Sequence, residues 1–359
     1  MHHHLPPITA QEAALCRRLK SVAAQCGFVS LGVAGAEPIA PWRSEQFAQW
    51  LERGQAAGMD YLHRQAPLRQ ELTAVLPEVQ TVFSFALPYV ARLPFGADDF
   101  TLSRYALGRD YHDVVRERLR QFVALLDLPD SQQGRVCCDT APVDERYWAW
   151  RCGVGQWLDN AQIAVEGYGT FVFLGEWLCP LTIDQLMAHL DTIFPDEMGE
   201  NCDQAWSNSN IITNAACLSC GRCQRACPGG ALTAQGLDAR KCLSYLTIEH
   251  RGDLPSGASE QLGRRIYGCD TCAEVCPVNR PILLGEYMPP IAVCEDFLPS
   301  SELQSMRPDD WANLTVDQYR QLFKGSAVKR AKYEGLMRNI RAVCDSKNMN
   351  EANAGSRAE

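Results

Sequence analysis

Eight cysteines between positions 217 and 276 have the type and spacing of iron–sulfur ligands. The first run reads C-x2-C-x2-C-x3-C-P, and the second run repeats its last three cysteines. The eight are Cys217, Cys220, Cys223, Cys227, Cys242, Cys269, Cys272 and Cys276. Cysteines three apart on a tight loop can reach three irons of one cubane, and the fourth iron then takes a distant ligand. The spacing predicts two [4Fe–4S] clusters that deliver electrons to chemistry elsewhere in the chain.

The second run lacks a cysteine at its first position, where Ile266 lies, and Cys242 is the natural replacement. Because the last cysteine of each run in two-cluster ferredoxins ligates the other cluster, two ligand sets follow. The first is Cys217, Cys220, Cys223 and Cys276, and the second is Cys227, Cys242, Cys269 and Cys272. The alternative is a pair of zinc sites, since C-x2-C pairs also bind zinc. Three cysteines at this spacing followed by Cys-Pro favour the clusters.

Composition limits the classes of protein that could carry such clusters. The 359 residues are 46% apolar, include 17 cysteines and carry a formal net charge of −9. This length predicts about two domains, and cysteines without a signal peptide predict a reducing compartment, the cytoplasm. No apolar stretch is long enough for a membrane span. The acidic balance argues against nucleic-acid binding by the whole surface, although a local basic patch remains compatible with it.

Hydrophobic periodicity predicts the elements that must position the cysteines and any site that they serve. Helices are predicted over 12–26, 42–53, 113–126 and 143–153, and strands over 28–33, 79–89 and 136–139. Residues 163–165 and 170–174 are predicted to pair as a hairpin. The alternation predicts a first domain over residues 1–180 of α/β or α+β class.

Three further regions follow from composition and pattern. Residues 181–214 are predicted to be an insertion or linker, with one short amphipathic helix and then a polar loop. Residues 215–285 form the ferredoxin-like module, and residues 286–344 form a basic helical segment with Thr315 at a helix N-cap. The small, polar residues 345–359 predict a disordered tail.

Asp139 is a candidate proton donor because it ends a predicted strand, at the edge where α/β sheets usually hold ligands. A helix cap by Asp139 or Thr140 is an equally good interpretation. Tyr111 and His112, with Arg104 nearby, could line a polar pocket before a long helix. A capped helix start with solvated side chains is the alternative, which the residues alone favour.

The segment 320–341 is strongly basic in an acidic protein. Its seven basic residues are Arg320, Lys324, Lys329, Arg330, Lys332, Arg338 and Arg341, and its one acidic residue is Glu334. Such asymmetry suits a polyanion, because each phosphate contact releases counterions. A solvated helix face is the alternative. The chain has neither G-x-G-x-x-G nor a P-loop, so no nicotinamide or ATP site is indicated.

Several segments together resemble the cobalamin-dependent, iron–sulfur epoxyqueuosine reductases of queuosine tRNA modification. The segments are AGMDYL at 57–62, RYA at 104–106, GRDYH at 108–112, DTAPV at 139–143, ER at 145–146, FLGE at 173–176, RKCLSYLT at 240–247, YGCD at 267–270 and FKGSAVKRAK at 323–332. With the cysteine runs they extend the resemblance over about residues 12–342.

The resemblance implies a reaction and roles for these residues. Such enzymes reduce the epoxide of epoxyqueuosine, at the wobble position of certain tRNAs, to the alkene of queuosine with loss of water. The clusters are expected to reduce a base-off cobalamin in the first domain to Co(I), with Asp139 as proton donor beside Tyr111 and His112. Expected cobalamin contacts are Arg64, Arg104, Asn160, Ile163, Leu174, Ser244 and Asp270. Expected contacts to the anticodon stem-loop are Lys329, Arg330, Lys332 and Arg338. A flavodoxin or ferredoxin would supply electrons, and a monomer is expected.

The chain departs from the family pattern at residues 152–160. Where the family usually reads A-G-[LI]-G-[WF]-x-G-K-N, this chain reads CGVGQWLDN. An aromatic residue becomes Gln156, a glycine becomes Leu158 and a lysine becomes Asp159, while Asn160 is kept. If this loop touches corrin or substrate, the charge reversal would weaken binding or change the substrate. The segment between 176 and 217 is also longer than expected.

Two rival functions belong to other classes. A divergent corrinoid enzyme related to reductive dehalogenases would act on a small molecule, but such a substrate needs no basic segment. A non-catalytic electron carrier or corrinoid-activating protein would need no proton donor, and Asp139, Tyr111 and His112 argue against it.

Overall fold

The computed structural model describes residues 7–89, 95–96, 99–194, 217–285 and 294–355, with side chains as far as residue 346. Across these ranges no helix is both long and apolar enough to cross a bilayer. The helices are α1 Ala10–Gln25, α2 Pro41–Glu52, α3 Asp60–Gln65, α4 Tyr111–Leu125, α5 Glu145–Arg151, α6 Ile183–Ile193, α7 Arg222–Ala226, α8 Leu243–Ile248, α9 Ala258–Leu262, α10 Thr271–Glu274, α11 Arg280–Leu283, α12 Ser301–Ser305, α13 Pro308–Ala312, α14 Val316–Leu322 and α15 Lys332–Gly355. The strands are β1 Ser30–Gly35, β2 Thr81–Pro88, β3 Thr101–Leu102, β4 Arg135–Cys137, β5 Gln156–Trp157, β6 Ile163–Ala164, β7 Val172–Cys179, β8 Leu232–Thr233, β9 Gly236–Leu237 and β10 Arg265–Tyr267.

A four-stranded sheet of order β1-β2-β7-β4 forms the centre of the first domain, and each neighbouring pair is antiparallel. All eight residues of β2 are buried, because α4 and α5 cover the sheet with apolar side chains. Val115 and Phe122 of α4 lie in one core cluster, and Trp148 of α5 lies in another. The prediction of a mixed helix and strand domain is confirmed, and the antiparallel sheet agrees with the α+β alternative and not with α/β class. Runs of apolar residues show that a strand is buried and do not show its direction.

The predicted hairpin of residues 163–165 and 170–174 is also wrong. β6 pairs with β5, and β7 pairs with β2 and β4 instead. Between them, Val165 and Gly169 form a single isolated bridge. Gly167 and Gly169 both have positive φ, which lets the chain turn back at this bridge before it enters β7.

Helix α6 is part of the first domain and not of a linker. Its predicted apolar face is observed, with Leu186 and Leu190 fully buried in the same core cluster as Leu15 and Leu19 of α1. A capping box at Thr182 starts the helix. Residues 181–194 therefore extend the first domain, whereas the polar loop predicted over 196–214 lies outside the described residues.

The cysteine module is joined to both neighbouring regions. Its strand β10 pairs in parallel with β3 of the first domain. On the other side, the buried Asn339 of α15 donates hydrogen bonds to the carbonyl oxygens of Thr247 and Ile266. Helix α15 continues to Gly355, so the disorder predicted for 345–359 is not observed over residues 345–355. As predicted, Thr315 caps a helix, in this case α14.

Candidate active site

Asp139 lies in the loop after β4 and is held at both its backbone and its side chain. Its backbone N–H donates to the carboxylate of Glu145, the first residue of α5. Its Oδ2 accepts a hydrogen bond of 2.7 Å from the Tyr111 hydroxyl and lies 3.0 Å from His112 Nε2. The carboxylate is open to solvent, with 58% of the side chain accessible, and we refer to the site where it meets Tyr111 and His112 as the recess. The structure thus gathers all three predicted catalytic residues at one point.

The start of α4 aims Tyr111 and His112 at Asp139. Asp110 is the N-cap and accepts from the backbone N–H of His112, while its Oδ1 lies 2.6 Å from His112 Nδ1. The Tyr111 ring stacks on Phe173 of β7, with centroids 4.6 Å apart and planes 2° from parallel. The helix start is therefore capped, and the two residues after the cap contact Asp139 and Phe173 instead of extending into solvent.

The protonation states of this group follow from its hydrogen bonds. Burial alone would raise the pKa of Asp139, but hydrogen bonds from His112 and Tyr111 outweigh burial and hold that pKa below its usual value. Burial would lower the pKa of His112, but its hydrogen bonds to Asp110 and Asp139 raise that pKa to about 9. At neutral pH the structure therefore favours an Asp139 carboxylate beside a His112 imidazolium.

Beneath Asp139 lies a second acidic pair that the sequence analysis missed. Glu176 of β7 is fully buried and accepts a 3.2 Å hydrogen bond from Ser84 Oγ. Burial and the nearby Glu145 raise the pKa of Glu176 well above its usual value, and burial and Asp139 raise that of Glu145 to about 8. A signal was present, since Glu176 is the one charged residue of the apolar strand VFLGEWLC.

The first predicted set of cysteines lines one small cavity that is open to solvent. Its lining includes Leu158, Asp159, Asn160, Cys217, Leu218, Cys220, Gly221, Arg222, Cys223, Cys276, Pro277 and Val278. Cys220 is exposed, and the neighbouring Leu218 is 62% exposed. The divergent loop therefore lies at this cavity, where Asp159 accepts a 3.3 Å hydrogen bond from Ser219 Oγ.

The second predicted set lies deeper. Burial raises the pKa of Cys272, and Cys269, Cys242 and Cys227 raise it further, so these four thiols are close neighbours. Burial likewise raises the pKa of Cys276 in the first set, and Cys217 and Cys220 add to it. Neighbouring thiolates in a buried site repel one another, and a cationic iron core would offset that repulsion, because iron takes cysteine as the thiolate.

Within the described ranges, no group of three or more His, Cys, Asp or Glu side chains is placed to hold a single metal ion.

Polar side chains connect the second set to the first domain. Arg104 donates to Asp270 Oδ2 through its backbone N–H, at 2.9 Å, and through Nη1, at 3.0 Å. Asn160 Nδ2 lies 3.4 Å from the carbonyl oxygen of Cys272. Of the expected cobalamin contacts, Arg104, Asn160 and Asp270 therefore lie together beside this set.

Asn279 joins the two regions most closely. Its fully buried amide donates to Thr170 Oγ1 and to the Ala273 carbonyl oxygen, and accepts from Thr170 N–H. A Cβ at Gly169 would lie 2.1 Å from Asn279 Oδ1, so only glycine fits there.

The other expected cobalamin contacts differ in exposure. Arg64 is exposed on α3, and Ser244 is half-buried beside Cys242. In the described part of the chain, neither side chain has a hydrogen bond or an ion pair. Ile163 is buried in a core cluster, and Leu174 packs against the same cluster.

The expected tRNA contacts divide into two groups. Lys329 and Lys332 are exposed. Arg330 forms hydrogen bonds of 2.7 and 2.8 Å with Glu249. Those bonds raise the pKa of Arg330, and the charge of Asp139 adds to the effect, which places Arg330 near the recess.

Arg338 does not fit its predicted role. Its guanidinium donates to the carbonyl oxygens of His250, Gly252 and Leu246 and to Asn339 Oδ1. These bonds occupy all five of its N–H donors, so none is left for a phosphate. Arg338 instead fastens α15 to the turn after α8, and its prediction as a tRNA contact is wrong.

Comparison with known proteins identifies two matching family models. Residues 216–279 match the 4Fe-4S double cluster binding domain. Residues 69–140 match the model described as epoxyqueuosine reductase QueG, DUF1730.

Curated relatives named epoxyqueuosine reductase match almost the whole chain. The protein from Gloeobacter violaceus is 33% identical over 331 residues, which cover 91% of this chain and 94% of the relative. The protein from Leadbetterella byssophila is 30% identical over 328 residues, with coverage of 91% and 97%.

Solved structures share the fold. An epoxyqueuosine reductase crystallised with an epoxyqueuosine-modified tRNA-Tyr stem loop gives a TM-score of 0.73 at 23% identity, over 92% of this chain and 81% of that chain. The Bacillus subtilis enzyme, solved with its catalytic aspartate loop swung out of the active site, gives 0.69 at 23% identity with the same coverage.

Proposed function

This chain belongs to the epoxyqueuosine reductase family, and we propose that it reduces epoxyqueuosine in tRNA to queuosine. The observation that carries the proposal is the placement of Asp139, Tyr111 and His112 in an open recess beside a double-cluster cysteine module. Removing the epoxide oxygen as water takes two electrons and two protons. The cysteine module is suited to supply the electrons, and the recess is suited to supply the protons.

The electrons are proposed to pass through two [4Fe–4S] clusters, one on each predicted cysteine set. The cavity lined by Cys217, Cys220, Cys223 and Cys276 supports the first assignment, and the mutual proximity of Cys227, Cys242, Cys269 and Cys272 supports the second. The exposed Cys220 makes the first cluster the accessible one for an electron donor. The deeper second set includes Cys269 and Cys272, which flank the Asp270 that binds Arg104, while Asn160 borders both sets.

Cobalamin is the proposed cofactor between the second cluster and Asp139. The donor set fits a group rich in amide side chains, because Arg64 and Ser244 have polar atoms without partners in the described ranges. When bound, cobalamin supplies a strongly nucleophilic cobalt for opening the epoxide. Arg104 and Asp270, which already bind each other, would position the cofactor through the shape of the loops that they join.

The proton chemistry belongs to the chain itself. Asp139 would place a proton on the epoxide oxygen, which turns a poor alkoxide leaving group into a hydroxyl group. Because the Asp139 carboxylate is ionised in the resting state, its proton would come from His112 Nε2, 3.0 Å away. The open recess lets solvent return a proton to His112 for the second step.

A tRNA substrate is proposed because exposed Lys329 and Lys332 lie in the same segment as Arg330, whose position is close to the recess. The phosphates of an anticodon stem would contact the two lysines while the modified base enters the recess.

The decisive experiment uses anaerobically reconstituted protein, cobalamin, a strong reductant and a tRNA stem loop that contains epoxyqueuosine. Nucleoside mass spectrometry should show the loss of one oxygen, and reactions without cobalamin should not. Unchanged nucleoside from protein with full iron content would refute the proposal, and reduction of an organohalide under the same conditions would favour the small-molecule alternative.

A further inference from the structure

The backbone of Asp139 has an unfavourable conformation that surrounding contacts must stabilise. Its φ of 56° lies in the left-handed region, which residues other than glycine rarely adopt. Aspartate tolerates this region better than most residues, yet the conformation remains less stable than the extended or helical ones. A loop in such a conformation keeps its shape only when surrounding contacts fix it.

Glu145 supplies one such contact. Its carboxylate accepts the backbone N–H of Asp139. Glu145 is itself well placed, because Asp144 caps α5 and accepts a hydrogen bond from the N–H of Tyr147. The contact joins the loop of Asp139 to a helix that packs against the central sheet.

Glu176 lies on the far side of Glu145 and completes the arrangement. The Glu176 side chain is fully buried, and one of its oxygens, Oε2, is without a conventional hydrogen-bond donor in the described structure. Two buried carboxyl groups that interact this strongly do not both ionise, so the pair keeps one proton. Burial and Glu145 raise the pKa of Glu176 well above its usual value, so the proton belongs on the buried Glu176. Glu145 is then free to accept from Asp139.

We propose that Glu145 and Glu176 form a latch that holds the loop of Asp139 in the conformation that points its carboxylate at the substrate. Glu145 contacts the backbone of Asp139 and not its carboxylate, so it is a positioning residue and not a proton donor. Glu176 acts one step further away by holding Glu145 in place. The inference rests on the proposed function in one respect only, namely that the loop brings the Asp139 carboxylate to the substrate.

The test replaces the two glutamates and measures the loop directly. Glu145→Ala removes the acceptor, and hydrogen–deuterium exchange at the Asp139 amide should then rise about tenfold or more. Glu145→Gln keeps a carbonyl oxygen at the same position and should restore exchange to within about threefold of the original protein. Glu176→Leu removes the carboxyl group that interacts with Glu145 and should also raise exchange at Asp139, whereas Glu302→Gln, an exposed acid outside the latch, serves as the control and should leave exchange unchanged.

Kinetics supply the second readout. In Glu145→Ala, kcat should fall about tenfold or more while KM for the tRNA stem loop changes less than about twofold, because the loop positions the acid and not the tRNA. Glu145→Gln should recover most of that kcat. If Glu145→Ala does not fold, Glu145→Asp, which withdraws the carboxylate by one methylene group, takes its place.

Unchanged exchange in the folded Ala or Asp variant would overturn the latch, and so would equal impairment of the Ala and Gln variants. The exchange measurement needs no substrate. It therefore tests the latch even if the chain proves inactive on epoxyqueuosine, and a failure of one proposal can be distinguished from a failure of the other.

Discussion

The cysteine module contacts the first domain at Arg104, Asn160 and Asn279, and it is assembled in a different way from the acidic recess of that domain. The module takes its cysteines from one short stretch of chain, residues 217–276. The recess takes Tyr111 and His112 from the start of α4, Asp139 from the loop after β4, and its supporting glutamates from α5 and β7. The difference teaches that spacing alone can describe the module, whereas the recess exists only when the whole first domain is packed. Variants should therefore be able to disable either region and leave the other intact.

The largest effect is expected from Cys272→Ser in the deeper cysteine set. Loss of one cluster should reduce iron from about eight to about four atoms per chain and abolish turnover, because electrons no longer reach the recess. Iron analysis, electron paramagnetic resonance and the nucleoside assay measure these outcomes. Cys294→Ser, outside the two runs, should keep full iron. Full iron in Cys272→Ser would contradict the ligand assignment.

Asp139→Asn should disable the recess and leave the module intact. Turnover should fall by about 10²–10⁴, the usual contribution of a positioned acid, while iron content and cluster spectra stay unchanged. Single-turnover assays with reduced protein measure the change. Retained activity would mean that another group supplies the proton, and lost iron would mean that the two regions cannot be separated.

A pH profile should report His112 specifically. The pKa of His112 is about 9 in the folded protein against 6.5 in an ordinary histidine, so its protonated form is stabilised by folding. That stabilisation is complete below pH 6.5 and is lost as the pH rises through 9. Turnover should decline over the same upper range as His112 loses its proton.

His112→Gln provides the control for this profile. Its activity should be low and without the decline near pH 9, and its melting temperature should fall less than that of the original protein between pH 7 and pH 10. A decline that persists in His112→Gln would assign the titration to another group.

The basic segment allows a test of substrate binding that involves neither the clusters nor the recess. Lys329→Glu combined with Lys332→Glu should weaken stem-loop binding about tenfold or more and reduce the salt dependence of affinity, since two phosphate contacts are reversed. Binding assays across several salt concentrations measure both effects. Arg338→Gln should instead lower the melting temperature, because its donors bind protein carbonyl groups. Unchanged affinity in the double variant would remove the lysines from the interface.

The smallest effect is expected at Asp159, beside the exposed cysteine set. A carboxylate there disfavours adding an electron, so Asp159→Asn should raise the reduction potential of the first cluster by about 30–60 mV, or up to tenfold in the one-electron equilibrium. Redox titration followed by electron paramagnetic resonance measures it. Glu302→Gln, an exposed acid that does not line this cavity, should have no effect. An equal shift of both clusters would show that Asp159 does not act locally.

The sequence predicts those features that depend on neighbouring residues. The cysteine runs, the apolar face of α6 and the cap at Thr315 are all local patterns, and the structure contains each of them as an element or a cluster of neighbours. The antiparallel direction of β2 and β7 is not local, because it depends on how long connections cross the domain. The structural role of Arg338 could not be predicted either, because its carbonyl partners lie about ninety residues earlier in the chain.

The recess likewise depends on contacts between residues that are distant in the sequence. Asp139, Tyr111 and His112 could be named as candidates, but neither their contact nor the support from Glu145 follows from any spacing. Only Glu176 could be recognised from the sequence, because it is a charged residue in a buried strand and such a residue requires a partner. A buried charge in an apolar run is therefore worth following even when its partner cannot yet be named.

Asn279 has a consequence for how the protein is held together. It follows the proposed ligand Cys276 by three residues, and its amide occupies the space that a side chain at Gly169 would fill. The position of this amide therefore depends on a cysteine that iron would fix in place. A cluster bound at Cys276 would then stabilise the contact between the module and the turn at Gly169 as well as its own ligands.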